Sequence, residues 1–449
     1  MSDATIESTT QEDNRPPLLR DRSFWGLTLT QFLGAFNDNV FKQIVLLLAL
    51  PVVAKAANQE AIQSNEDLQG WATFTFSIPF VLFSGLAGYL SDRYSKTPII
   101  VASKVAEILV MLLGLAAFYY YGSAGMFGTW TVLFLMATQS TFFGPGKYGI
   151  LPELFRPSDL ARANGLILMS TFLAIIFGVT FAGTLMKWLV DDDLAANANR
   201  LWIGSAICIG IAILGTLTSL LIRKTKVAQP DAKLTADAFG INKGILQLLR
   251  KDRELLYALL VSCVFWMVAS IAMPTVNRVG TNMLNLDMAA TSILVGMIAI
   301  GIMIGAPIGG YLCRRMPSHR AVTIGLWGIV ISLGLLGIWN GQRLWLSPNF
   351  ARGALLLLGV SAAIYSIPLQ VFLQDRPPNQ LKGRMIAMMN QANFLGMLLA
   401  GPIYQFFLVV ADWCGMPVSS VFWMLGALVL PLAILYRMGD ARAATVAKA

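Results

Sequence analysis

The sequence predicts an all-α polytopic membrane protein of twelve transmembrane helices arranged as two six-helix halves. Three observations carry this. The 449 residues are 56% hydrophobic and only 13% charged, with a mean hydropathy of +0.65, whereas soluble domains carry about 25% charged residues. Apolar runs long enough to cross a bilayer recur along the chain. Short motifs also return at a nearly constant offset, as in a duplicated bundle.

Taken in order, residues 1–23 are polar, contain Pro16-Pro17 and lack the apolar core and small-residue cleavage site of a signal peptide, so a disordered cytoplasmic tail is expected. Spans are expected at 24–54, 71–90, 98–121, 127–146, 160–190 and 201–222 in the first half. The second half supplies 255–276, 289–312, 321–339, 353–373, 385–410 and 418–436. Between the halves, 223–254 is a basic cytoplasmic linker holding Arg223, Lys224, Lys226, Lys233, Lys243, Arg250, Lys251 and Arg253. It reads as a tether that sets topology and rests on anionic headgroups. The first half is thus bounded at 24–222, the second at 255–437, and a cytoplasmic tail follows at 438–449.

Basic residues orient the chain. With the amino terminus in the cytoplasm, the outer side receives only Lys55, Lys187, Arg200, Arg278, Arg343 and Arg352 of the 33 Lys+Arg, and Lys42 lies within the first span. The acidic runs Glu66-Asp67 and Asp191-Asp192-Asp193 fall outside. This is the bias of the positive-inside rule, and it puts both termini in the cytoplasm. The net charge of +9 is accounted for by these loops, so no nucleic-acid partner is implied. Four scattered cysteines and a single histidine, His319, offer neither a disulfide framework nor a metal site.

The repeat is read from two places. Gly88-Tyr-Leu-Ser-Asp92-Arg93 returns as Gly310-Tyr-Leu-Cys-Arg314-Arg315, and Arg156-Pro157 followed by Leu160 returns as Arg376-Pro377 followed by Leu381. Parallel six-span halves are a transporter plan, with a binding site near the membrane midplane between them. Gly301, Gly305 and Gly309, at four-residue spacing, predict a ridge for close helix packing.

Gly88-Tyr-Leu-Ser-Asp92-Arg93-Tyr-Ser-Lys96 resembles the G-x-L-x-D-R-x-x-R/K signature of the major facilitator superfamily. The resemblance implies the major facilitator fold. It also implies a cytoplasmic gate in which Gly88, Asp92, Arg93 and Lys96 latch one half to the other and favour the outward-open state; for Arg93 and Lys96, plain topology charge is the alternative. The second copy has Cys313-Arg314 in place of Ser91-Asp92, so no gating acid is carried onto it. More narrowly, Gln31-Phe-Leu-Gly-Ala-Phe-Asn37-Asp38-Asn39 together with Gly146-Lys147-Tyr-Gly-Ile-Leu-Pro-Glu153 resembles the bacterial lysophospholipid transporter family. Members occur alone or fused to acyltransferase and acyl-carrier-protein synthetase domains. The implied substrate is a lysophosphatidylethanolamine-like lipid moved from the outer to the inner leaflet of the bacterial inner membrane by alternating access, with a separate acyltransferase acting on it afterwards. No cofactor is implied, and a monomer is the superfamily expectation.

Such a substrate needs a carboxylate for its ammonium and donors for its phosphate. Asp38, flanked by Asn37 and Asn39, fits the first role. Lys147 or Lys42 fits the second through charge-assisted hydrogen bonds, and Arg278 is a candidate for early headgroup capture. Alternatives stand beside each. Asp38 and Lys42 share a helical face at i,i+4 and can pair with each other. Lys147 can be a snorkelling topology lysine, Gln31 can join helices rather than line a cavity, and Glu107 can pair with Lys104. Asp38 and Glu107 are also the candidate proton or sodium coupling residues. An acyltransferase H-x4-D pattern fails at Ile324, and the phosphate-loop pattern fails at Thr141 and Tyr148. An enzyme is therefore not expected; the stronger rival is a major facilitator carrier for a different amphiphilic or anionic solute, for example a drug.

Overall fold

The computed structural model describes residues 15–50, 67–156, 159–190, 200–225, 243–340, 343–344, 347–378 and 381–436. Among these, twelve long helices match the expected spans one for one. They are α1 (Arg22–Leu48), α2 (Gln69–Arg93), α3 (Lys96–Tyr119), α4 (Tyr121–Gly149), α5 (Leu160–Val190) and α6 (Trp202–Ser219), then α7 (Arg253–Asn282), α8 (Met288–Arg315), α9 (Ser318–Leu336), α10 (Pro348–Asp375), α11 (Lys382–Trp413) and α12 (Ser420–Leu435). Nine are long and apolar enough by themselves to cross a membrane, and α12 is an apolar helix that is shorter. Large apolar side chains point outward along them: Leu109, Leu220, Phe406 and Trp413 are all well exposed. So wide an apolar exterior suits hydrocarbon surroundings rather than water.

Helix pairing repeats between the halves. In the first, α1 packs on α5 and α6, α2 on α4, and α3 on α4 and α6. In the second, α7 packs on α11 and α12, α8 on α10, and α9 on α10 and α12. Adding six to each label converts one set into the other, as expected of parallel repeats. The halves meet through exchanged partners, α2 against α11 and α5 against α8. The predicted glycine ridge lies on α10. A Cβ on Gly301, Gly305 or Gly309 would meet Leu356, Val360 or Ala363 respectively, so these glycines let two backbones touch.

Three expectations need correction. The first span stops at Leu48, with a turn over Ala49 and Leu50; residues 51–54 lie outside those described. Residues 1–14 of the amino-terminal tail lie outside those described, and the part that follows is ordered. Leu18–Arg20 form a 3-10 turn that buries Leu18 among Phe24, Ile100, Leu151 and Phe155. Asp21 caps α1 by accepting from Ser23 N (2.8 Å) and pairs with Arg223 (2.9 Å). The linker is not wholly a tether either. Lys243–Lys251 is helical, buries Ile245 and Leu249 against the second half, and is followed at once by α7 from Arg253. In each case a few apolar side chains inside a polar stretch find a bundle to bury against. The rest of the linker (226–242), Glu66, Asp191-Asp192-Asp193, Lys55 and the carboxy-terminal tail lie outside the described residues.

One face of the bundle gathers the amino-terminal segment, the α2–α3 and α4–α5 turns and the start of the linker; it is called the linker face below. Here Thr97 Oγ1 donates to Arg223 O (2.8 Å) and Ser95 Oγ to Thr225 O (2.8 Å). The repeated Arg-Pro arginines act alike. Arg156 donates to Arg15 O, ahead of α1. Arg376 pairs with Asp252, the cap of α7, at 2.8 Å and with Glu254 at 3.0 Å.

Candidate substrate site

The polar residues of α1 point in different directions because successive side chains on a helix are turned by about 100°. Asn37 faces α3, where its Nδ2 donates to Glu107 Oε1 at 2.7 Å. Glu107 also pairs with Lys104, and all three side chains are buried. Asn39 turns back on its own helix and donates to Ala35 O (2.7 Å). Asp38 faces α4, where Ser140 Oγ donates to its Oδ2 at 2.6 Å. Its other oxygen, Oδ1, is shielded from solvent and has no hydrogen-bond partner.

Two lysines lie within electrostatic reach of Asp38. Lys42 does not form the i,i+4 ion pair with it; its Nζ sits 4.3 Å over the Phe76 ring on α2, a cation–π contact. Lys147 is buried, and its Nζ donates to Thr171 Oγ1 (3.2 Å) on α5. Thr171 in turn lies 2.9 Å from Gln31 Oε1, and Gln31 Nε2 donates to Ile167 O (3.2 Å) and to Ser170. Gln31 thus ties α1 to α5 and sets the position of the Lys147 partner. The first half thus holds one carboxylate with an open oxygen within electrostatic reach of two lysines.

The second half answers with apolar surface. Its spans carry no Asp, Glu, Lys or Arg through 255–277, 288–313, 321–336, 353–374, 385–411 and 418–436. At the seam, Phe80 of α2 stacks on Phe394 of α11 (ring centroids 4.4 Å apart), next to Phe76.

A family model described as Major Facilitator Superfamily matches residues 27–401. The chain belongs to that superfamily. This major facilitator is also similar to proteins named lysophospholipid transporter LplT. One from Enterobacter sp. (strain 638) is 27% identical over 417 residues, covering 91% of this chain and 94% of the relative. One from Serratia proteamaculans (strain 568) is 26% identical over 400 residues, covering 87% and 89%. Among solved structures, the POT family transporter PepTSo aligns with a TM-score of 0.69 at 15% identity over 92% of this chain and 97% of that one. The inward-open xylose transporter XylE from E. coli aligns with a TM-score of 0.65 at 14% identity over 93% and 96%. These structures share the fold. The protein is a membrane transporter with multiple membrane-spanning helices.

The major facilitator motif lies on the linker face. Gly88 has open space around it, and Arg93 is exposed and bonded to Tyr89. Asp92 lies in α2, and its side chain is outside those described. Lys96 is buried and pairs with Glu153. The two motifs read separately from the sequence therefore meet through this pair, inside the first half rather than across the halves.

The bonds that do cross between the halves lie, among the described residues, at the far face. Gln43 Nε2 donates to Asn277 Oδ1 (3.1 Å) and Ser292 Oγ (3.2 Å), and Asn277 Nδ2 donates to Gln69 Oε1 (2.9 Å). Asp67 accepts from Tyr404 Oη (2.6 Å) and Gln69 N (2.9 Å) and faces Arg278 at 3.5 Å. Lys187 and Asp287 pair at 2.8 Å between α5 and the start of α8. Arg278, expected to capture a headgroup, is thus held by Asp67 in this state. Burial pushes the Asp67 carboxyl above the usual carboxylate range, with Arg278, Tyr404 and Gln69 opposing the shift. The Lys187 partner Asp287 is held below that range, first by the backbone N–H of Ala290 and then by Lys187. Gln43, Gln69, Asn277 and Tyr404 escaped the sequence reading because polar residues near span ends look like ordinary caps and loop neighbours. Their one signal is Gln43, a further polar residue beside Lys42 in the first apolar run.

Proposed function

We propose that this transporter carries lysophospholipid, of the lysophosphatidylethanolamine type, from the outer to the inner leaflet of the bacterial cytoplasmic membrane by alternating access. The observation that carries the reading is the open Oδ1 of Asp38, shielded from solvent and within electrostatic reach of Lys42 and Lys147. A buried carboxylate oxygen without a donor is costly and reads as a site awaiting a cationic group. The ammonium of the headgroup meets Asp38, and its phosphate meets Lys147 or Lys42. The single acyl chain follows the uncharged wall of the second half, and a lysophospholipid cargo agrees with the similarity to proteins named lysophospholipid transporter LplT.

In this reading the linker face is cytoplasmic, as the positive-inside bias favours. The bonds at the far face then act as a shut outer gate, and the reading assigns this arrangement to inward release of lipid. Opening that gate frees Arg278 to meet an arriving phosphate, while Asp92, Arg93 and Lys96 help shut the linker face. A separate acyltransferase would then use the delivered lipid.

The test is transfer of labelled lysophosphatidylethanolamine across liposomes holding the purified protein. Faster transfer than in empty vesicles, competed by other single-chain phospholipids and not by the free headgroup, supports the reading. No transfer in either orientation sinks it, and competition by a small solute of no acyl chain would point to a different cargo.

A further inference from the structure

The proposed transport cycle uses Asp38 and leaves the ion pair on α3 without a part. Lys104 and Glu107 are each 1% exposed. The lysine stem passes between two glycines on neighbouring helices. A Cβ on Gly34 of α1 would lie 2.9 Å from its Nζ, and one on Gly215 of α6 would lie 2.8 Å from its Cε. The glycines therefore keep open a channel that admits this side chain. At its end Lys104 meets Glu107, whose other oxygen takes the amide of Asn37.

Asn37 is next to Asp38 in the chain, so its bond to Glu107 places the ion pair one residue from the site, within electrostatic reach of the Asp38 carboxylate. An unpaired lysine buried among helices is strongly unfavourable. Were Glu107 neutral, the Lys104 ammonium would turn to the carboxylate nearby that still has an open oxygen, that of Asp38. The site would then be filled from within.

We propose that Glu107 is a positioning residue: it holds Lys104 away from Asp38 and, through Asn37, fixes the turn of α1 so that the Asp38 carboxylate stays open for the cationic group of the substrate. This rests on reading Asp38 as the ammonium ligand. It assigns the two carboxylates different parts, Asp38 binding and Glu107 guarding.

The experiment measures binding of fluorescent lysophosphatidylethanolamine to the full-length protein in nanodiscs for wild type, Glu107→Gln, Lys104→Met and the double variant. Glu107→Gln is expected to weaken binding roughly tenfold or more, the loss of one charge-assisted contact. Lys104→Met is expected to bind at least as tightly as wild type, and the double variant to return to within about threefold of it, since the intruding charge is gone. A pair that merely braces the bundle gives another pattern, because both single variants and the double all lose the brace. Losses of the same sign in Glu107→Gln and Lys104→Met, or a double variant no better than Glu107→Gln, overturn the proposal. If Glu107→Gln fails to fold, the other two variants decide: roughly tenfold weaker binding by Lys104→Met overturns it, and wild-type binding by both supports it. Absence of binding by the wild-type protein overturns the substrate reading itself, whereas wild-type binding with parallel losses overturns only the positioning role.

Discussion

Removing one oxygen atom from Tyr404 tests whether the far-face bonds are a gate. Tyr404 is fully buried, and its hydroxyl donates to Asp67 Oδ2 at 2.6 Å. Tyr404→Phe keeps the ring in its packing and leaves the carboxylate with one donor fewer. Hydrogen bonds to charged groups contribute about 1.5–3 kcal/mol. In the open state Asp67 would be hydrated, so nearly all of that difference falls on the closed state. With about 2 kcal/mol lost, the closed-to-open ratio falls roughly 30-fold. The assay is a distance measurement between two nitroxide spin labels attached through the substitutions Phe127→Cys and Trp413→Cys. Both positions are exposed and lie at the far-face ends of α4 and α11, and the four native cysteines are replaced beforehand. The variant should gain a longer-distance population, most clearly under conditions where the wild-type closed-to-open ratio is itself about 5. A distribution identical to wild type, in a variant that folds normally, would refute the gate.

Other outcomes follow from the same geometry. Asp67 titrates higher in the closed state than a hydrated carboxylate, so closure is favoured most below the ordinary carboxylate value of about 4 and that contribution fades as pH rises through the raised value; the same label pair read against pH should show opening on the alkaline side, and Asp67→Asn should lose the dependence. Asp38→Asn keeps a bond to Ser140 yet removes the charge, and should lower lysolipid affinity about 30-fold or more while leaving the thermal midpoint of the detergent-solubilised protein nearly unchanged. Gly305→Val forces a side chain into the α10 backbone near Val360, and overpacking of this kind costs about 1–3 kcal/mol, visible as a lowered thermal midpoint.

The architecture was legible because long apolar runs and a motif offset survive whatever the packing does. All twelve spans appear in order, and the glycine ridge predicted from spacing on α8 does lie on a neighbouring helix. Helix ends were less readable. An apolar pair such as Ala49-Leu50 satisfies hydropathy equally well whether it is helix or turn, and Leu18 in a polar segment gives no hint of the cluster it enters. Within the site, the sequence picks out Asp38 and Asn37 as anomalies but not the face each presents: Asn37, a candidate substrate neighbour by its place beside Asp38, turns to Glu107. The Lys104–Glu107 alternative needed only i,i+3 spacing and was visible. By contrast, the bonds of Asp67, Gln69 and Asn277 join residues more than 200 positions apart, and no local pattern encodes such a meeting.

The clasps on the linker face bear on how the protein is made. Every described fastening of the first half at that face, from Arg15 on Arg156 to Asp21 on Arg223 and Ser95 on Thr225, joins residues numbered 225 or lower. Those of the second half, such as Asp252 with Arg376, begin beyond 242. A ribosome that has released residue 225 has therefore supplied every described part that seals the first bundle at that face, before the second half has emerged. Two fragments divided within 226–242 and expressed together should each insert, each close on itself, and then find one another along the α2–α11 and α5–α8 seams.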